Sequence, residues 1–424
     1  MITSRLFFSP ASRAAAVGCV LASAASAQQV NASAQAFGMG GNFTARARGV
    51  HAVAWNPANL GLSGNPGFSM QLGSVFGASS LQPIALGDFK RFEGQAIPAA
   101  QREDWINQVT ANGGETGSGD VGLGAFGMSV GPLAFQLSAT ALASATLSPD
   151  AVEMVFFGNA GRTGTVRNFN LAGAKIDAAA FATGAVSFGH GFAVGLGELA
   201  FGVTGKYIAG SVAMARDNGS AINTNDIQIL FPAVYADSSG IAGSGIGWDV
   251  GVSWRARSTT IGVSVQNAVN SFAWDAAKLR SGTAAGYFTV DSSGTTFDED
   301  QPYSAAPQSM RDAVAAYVFK PTVAIGLARE VASRLTVTAD ARQQLGEDGS
   351  IQIGPKTQAG MGLELRIIPF IPLRAGATYL TGGYGVSGGA GLKLSGFELG
   401  AAIMVRDRGA GRESGVMVSL VNVR

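Results

Sequence analysis

From Phe68 onward the chain repeats a two-residue period, clearest from Ile246 to Arg255. There Ile246, Trp248, Val250, Val252 and Trp254 alternate with Gly247, Asp249, Gly251, Ser253 and Arg255. Successive side chains on a strand point to opposite faces, so this pattern gives each strand one apolar and one polar or small face. Two structures bury such a face: a soluble sandwich, or a barrel whose outside meets lipid and whose lumen is polar. Charge decides between them. Only 13% of residues are charged, 60 are glycine and the mean hydropathy is +0.23, too little polarity for an ordinary soluble surface. Beyond the N-terminus no uninterrupted apolar run reaches the roughly 18 residues of a membrane helix. Strands therefore carry the chain across, and Trp248 and Trp254, about 20 Å apart at ~3.3 Å per residue, suit aromatic girdles at the two interfaces.

Fourteen segments repeat the pattern: 67–77, 118–130, 133–146, 177–189, 196–211, 246–256, 259–269, 319–329, 333–343, 357–367, 371–381, 384–393, 396–406 and 413–423. The expected fold is all-β, a membrane-spanning antiparallel β-barrel of about 14 strands with an N-terminal plug. Loop lengths support that count. The connections at Gly131-Pro132, from Gly189 to Phe192 and onward, at Arg257-Ser258, Glu330 to Ser333, Pro369 to Pro372 and Leu394-Ser395 are short, and four of those on the other side are long, as outer-membrane barrels require. Residues 224–236 also look strand-like; they are assigned to an outer loop, since counting them makes the total odd.

The first 27 residues read as a secretory leader: Arg5 and Arg13, an apolar run from Ala14 to Ala27, and an A-x-A site at Ala25, Ser26 and Ala27. Cys19, the single cysteine, falls inside it, so the mature chain carries no thiol chemistry. Losing Arg5 and Arg13 takes Lys+Arg from 29 to 27 against 28 Asp+Glu, a net charge near −1 that argues against a nucleic-acid partner. The expected location is the outer membrane, with its lipid as the surrounding partner.

Residues 28–65 are the expected plug, ahead of a barrel over 66–424. Its core, 31–62, fits neither leader nor strand. Gly38, Gly40 and Gly41 allow a tight turn after Phe37, and Pro57 biases Asn56 away from helix, so a helix near Trp55 stops there. The Asn56 amide can donate and accept toward the wall.

The aromatic-Gly-x-Gly-Gly start at Phe37 to Gly41, the small and basic run Ala45 to Gly49, and Trp55-Asn56-Pro57-Ala58-Asn59-Leu60 resemble the N-terminal region of the FadL/PorV superfamily of outer-membrane barrels. Phe157-Gly158-Asn159, Gly202 to Tyr207, Gly245 to Val252 and Val265-Gln266-Asn267 resemble an uncharacterised branch of it. The resemblance covers nearly the whole mature chain. It implies fourteen strands with an N-terminal hatch and, for the transporter branch, passage of fatty acids or other hydrophobic compounds. Many such barrels end on an aromatic residue as an assembly signal, whereas this chain ends Val421-Asn422-Val423-Arg424.

Inward positions read strand by strand include Lys206, Asp249, Arg255, Asp340, Arg342, Glu364, Arg366, Arg374, Lys393, Glu398 and Arg406. One reading is a ladder of cross-strand ion pairs that stabilises the wall. The other takes Arg255, Arg366, Arg374 and Lys393, near the inner turns, as holders of an acidic ligand head group. In the outer loops, 97–110 and 148–158 fit short helices, the second with Ser148 as N-cap and Pro149 at the first helical position. The apolar cluster Val155, Phe156 and Phe157 either packs on the neighbouring loop helix or forms a landing surface for a hydrophobic ligand.

No enzyme is expected. The histidines His51 and His190 have no sequence-local Ser/Asp arrangement for nucleophilic catalysis. Asp291, Asp298, Glu299 and Asp300 lack the ligand spacing of a calcium loop, so neither metal nor cofactor is expected. Two function classes remain: a channel taking up fatty-acid-like hydrophobic small molecules past the plug, and a PorV-like non-transporting partner of a secreted or surface protein.

Overall fold

The computed structural model describes residues 33–165, 167–222, 226–289, 293–346, 349–351, 354–407 and 412–423. The leader, Cys19, Asp291 and Arg424 lie outside them. Fourteen antiparallel strands form a closed barrel. In chain order they are β1 Phe68–Gln82, β2 Glu115–Val130, β3 Leu133–Leu147, β4 Lys175–Val194, β5 Gly197–Arg216, β6 Gly243–Ala256 and β7 Thr259–Asn270. They continue with β8 Thr322–Ala332, β9 Leu335–Gln344, β10 Thr357–Ile368, β11 Ile371–Leu380, β12 Gly383–Leu394, β13 Phe397–Asp407 and β14 Arg412–Val423. Each pairs with the next, and β14 returns to β1 with Val418 opposite Val75, so the barrel closes on itself.

The two faces fall where the period puts them. Ile246, Trp248, Val250, Val252 and Trp254 are all exposed on the outer face of β6, whereas Asp249 and Ser253 are buried in the lumen. Val263, Ile325, Leu363, Leu399 and Val418 continue the apolar outer face on other strands. Turns alternate in length as expected, with one shift. β4 and β5 run on past Gly189 and turn at Gly195-Leu196, where Gly195 adopts φ +57, so this hairpin overshoots its neighbours.

The long loops fold over one mouth. Residues Asp226–Ala236 form a strand outside the barrel closure, paired with Leu279–Thr289 and with the end of β5. A helix at Ala99–Asn112 packs against one at Pro149–Phe157, whose N-cap Ser148 accepts from the Ala151 N–H. Phe181, Phe272, Trp274, Phe319 and Ile351 pack together as an aromatic roof across the lumen.

Candidate functional site

The lumen beneath that roof is filled by residues 33–62. Ser33 caps a helix at Ala34–Gly38, and the Ala34 N–H donates to Ser419 Oγ of β14 at 3.0 Å. Gly40 and Gly41 then take φ +69 and +75, turning the chain so that the Phe43 and Thr44 N–H groups both donate to Asp340 Oδ2, at 2.9 and 2.7 Å. A single helical turn, Ala52–Trp55, ends at Asn56, whose extended backbone (φ −156, ψ 104) is what a following proline favours. Phe43 and Trp55 meet edge to face at 5.7 Å, and Phe37 meets Phe76 of β1 at 5.4 Å. His51 is buried beside Phe43 with no hydrogen-bond partner on either nitrogen, so burial lowers its pKa to about 4 and keeps the ring neutral.

Asn56 Nδ2 donates to Ser253 Oγ at 3.0 Å and to the Val252 and Val263 carbonyls at 3.3 Å. Its Oδ1 lies against the wall at Gly251 but takes its hydrogen bond from its own segment, accepting from the Ala58 N–H and starting the turn at Pro57–Gly61. This close approach requires small lumen residues. A Cβ at Gly251 would lie 2.0 Å from Asn56 Oδ1, and one at Gly202 would lie 2.2 Å from the Ala58 nitrogen. Many of the lumen glycines are therefore the seat of the segment.

Between segment and roof is a small chamber of about 100 Å³ with Val53 and Ala54 as its floor. The Lys206–Asp249 pair (2.7 Å) stands in its wall. Next to it β7 loses register between Val265 and Val269, and this bulge turns Gln266 to donate to the Ala54 carbonyl at 2.5 Å. The chamber is thus polar below and aromatic above.

The opposite side of the segment, at the short turns, holds most of the predicted cations. Arg374 is fully buried between Glu364 (2.8 Å) and Glu398 (2.6 Å). Arg366 and Arg46 also reach Glu364, at 2.5 and 3.4 Å, and Lys393 reaches Glu398 at 3.5 Å. Arg255 stands apart from these three; it donates to the Ser63 carbonyl, while Glu198 accepts from the Ser63 N–H at 2.7 Å, clamping the segment's exit. The predicted lumen charges divide accordingly, Arg406 pairing with Glu413 at 2.9 Å and Asp340 holding the segment. Glu198 and Glu413 were missed, although each shares the inward parity of its strand. Arg46 and Arg48 sit in an irregular stretch with no period to read.

In the outer loops Phe156 packs on Trp105 (5.7 Å) and Phe157 lies under the Arg102 guanidinium (4.9 Å), while Val155 is exposed.

A closed fourteen-stranded barrel with its N-terminal segment folded into the lumen is the architecture of the FadL-like outer-membrane channels. Among solved structures, the Pseudomonas putida toluene transporter TodX is similar over 94% of this chain and 99% of its own, with 13% identity and a TM-score of 0.54. A second structure of it matches 93% of this chain and 98% of its own at 14% identity and 0.51. A TodX deltaS2S3 mutant, a monoaromatic hydrocarbon channel, matches 93% and 99% at 12% and 0.52. By sequence, residues 92–341 match the family described as the F plasmid transfer operon TraF protein, and the chain belongs to that family. No curated protein matches.

Proposed function

We propose that this protein is an outer-membrane channel for hydrophobic small molecules, closed at rest by residues 33–62 acting as a plug. The observation that carries the reading is how the segment is held. It is seated by individual hydrogen bonds, donating to Asp340, Ser419 and Ser253 and accepting from Gln266, and does not join the sheet, so it can leave without opening the wall. The fold shared with a toluene transporter supports the substrate class. Ligand lands on the outer loops around Val155, Phe156 and Phe157, passes the aromatic roof into the chamber, and leaves past the displaced plug. A chamber of about 100 Å³ is below the usual size of a ligand pocket, so roof or plug must shift for anything larger than a small aromatic ring to enter.

Deleting residues 31–60 tests the plug. The shortened chain inserts into planar bilayers and conducts more than the full chain; equal conductance would sink the reading. Mass spectrometry of the purified barrel tests the ligand class, with a co-purified apolar molecule as the expected result. The second reading is a non-transporting partner of a secretion or surface-anchoring complex, and a family described by a plasmid transfer operon is compatible with it. An empty lumen together with a stably bound protein would favour it.

A further inference from the structure

The hairpin joining β4 and β5 leaves part of one strand unpaired at the short-turn end of the barrel. The last pair between β3 and β4 is Leu133 with Phe188, and the Gly189 N–H then donates to the Pro132 carbonyl at 2.9–3.0 Å reach, 3.0 Å. β4 continues to Val194, still paired with β5 through His190–Phe201, Phe192–Leu199 and Val194–Gly197. Residues 190–194 therefore have β5 on one side and, among the described residues, no strand on the other. That open edge is about 16 Å long at ~3.3 Å per residue. Backbone groups of alternate residues point to the same side, so Gly191 and Ala193 present N–H and C=O along the edge as Gly189 does toward Pro132.

An open edge does not persist in hydrocarbon, where nothing satisfies its N–H and C=O groups, so this stretch stands in water beyond the apolar belt. Its side chains are nonetheless apolar. Phe192 and Val194 are exposed, and Leu196 at the turn is 92% exposed, the highest value of any large apolar side chain among the described residues. No residue between Asp177 and Glu198, or on the neighbouring hairpin between Asp120 and Asp150, is Asp, Glu, Lys or Arg. Lysine, proline and bulges keep an edge strand from pairing with a foreign chain, and residues 190–194 carry none of them.

We infer that this edge receives an extended, uncharged segment of a partner protein on the short-turn side, added as a strand beside β4. Backbone groups repeating every second residue select a strand over a helix or a lipid chain, and the exposed Phe192 and Val194 select apolar residues at its alternate positions. With no charge on either hairpin, an ionic segment finds no counter-ion there. The edge also adjoins the lumen segment: a Cβ at Gly191 would lie 2.2 Å from the Gly61 carbonyl oxygen, so an added strand lies beside the point where residues 33–62 leave the lumen. Docking here is independent of what the channel carries.

The experiment is equilibrium binding of peptides to the full-length barrel in nanodiscs. An uncharged Thr-Val-Thr-Val-Thr-Val peptide binds at least tenfold more tightly than the same peptide N-methylated at its threonines, which keeps every side chain and loses the donors that face the edge. Ala193→Pro weakens the unmodified peptide tenfold, since proline removes a donor that the barrel itself does not use, and Ala193→Val retains the binding. Heat-modifiable mobility on gels confirms that each variant is folded. Unmodified and N-methylated peptides that differ less than twofold on the wild type overturn strand addition, whatever the variants do. A peptide with lysine in place of valine binds tenfold more weakly; equal binding of it overturns the uncharged occupant. Native mass spectrometry reads the second copy: a dimer of the barrel that Ala193→Pro abolishes gives the edge to another copy of this chain and overturns the foreign strand. Hydrogen exchange at Gly191 and Ala193 is fast in the peptide-free barrel, and slow exchange there shows an edge already covered by lipid or by the chain itself, which overturns the site.

Discussion

Asn56 and Ser253 form the centre of the link between plug and wall. Asn56 Nδ2 donates to Ser253 Oγ at 3.0 Å, Ser253 Oγ donates onward to Asn59 Oδ1 at 2.6 Å, and Asn59 Nδ2 donates to the Thr44 carbonyl at 2.9 Å. One wall serine thus ties two turns of the segment together in a buried relay, where each bond polarises the next. Asn56→Ala removes the first donor and costs about 1–3 kcal/mol of docking. The expected outcome is faster proteolysis within residues 33–62 and higher conductance, with the barrel still resistant to SDS at room temperature. Protection equal to the wild type would show that the relay contributes nothing.

Steric seating is separable from hydrogen bonding. Gly202→Val places a Cβ where the Pro57 and Ala58 backbone runs, 2.2 Å from the Ala58 nitrogen and the Pro57 carbonyl carbon, and backbone cannot rotate away. The segment is expelled while the strand, unchanged in polarity, still pairs. Gly77→Ala is the control, since nothing lies within 4 Å of a Cβ there. Limited proteolysis of both variants distinguishes them: Gly202→Val is cut in the segment and Gly77→Ala is not.

The outward assignment of β6 has its own test. Val250 is exposed near the middle of that strand, between Trp248 and Trp254. Val250→Arg costs about 2–4 kcal/mol if that face meets the bilayer midplane, and close to nothing if it meets water. Urea titration of folding into liposomes measures the difference.

Arg374 makes both of its ion pairs with no exposure to water. Arg374→Met leaves Glu364 and Glu398 buried with weaker partners, and removing one member of a buried pair costs about 3–5 kcal/mol. Adding Glu364→Gln and Glu398→Gln recovers much of the loss, because the charges are then removed together. If the triple variant unfolds at the same urea concentration as Arg374→Met, the network is not what holds this end of the wall.

The barrel was readable because a closed barrel with an apolar outside and a polar lumen imposes a period of two on every strand, and all fourteen strands stand within a few residues of their expected places. Ser148 and Pro149 marked a loop helix for an equally local reason, a cap and a fixed φ. Partner choice was not readable. Glu364 faces Arg374, Lys393 faces Glu398 and Arg406 faces Glu413 through strand register, which turn geometry sets to the residue and composition does not. Grouping Arg255 with Arg366, Arg374 and Lys393 reflected their shared end of the barrel, yet Arg255 sits on another arc of the wall, bonded to Ser63.

His51 supplies the pH dependence. Burial without hydrogen-bond partners lowers its pKa from an ordinary 6.5 to about 4 in the docked segment, with Glu398 opposing and Arg374 and Arg46 adding to the fall. A released segment exposes the ring and restores its ordinary value. The released state therefore binds a proton that the docked state refuses once pH drops below about 6.5, so docking is strongest above that value and weakens progressively down to about pH 4. Conductance of the full-length barrel is expected to rise between pH 7 and pH 4.5. His51→Phe fills the same apolar site, cannot titrate, and flattens the rise; an identical pH profile in this variant would assign the effect to other groups.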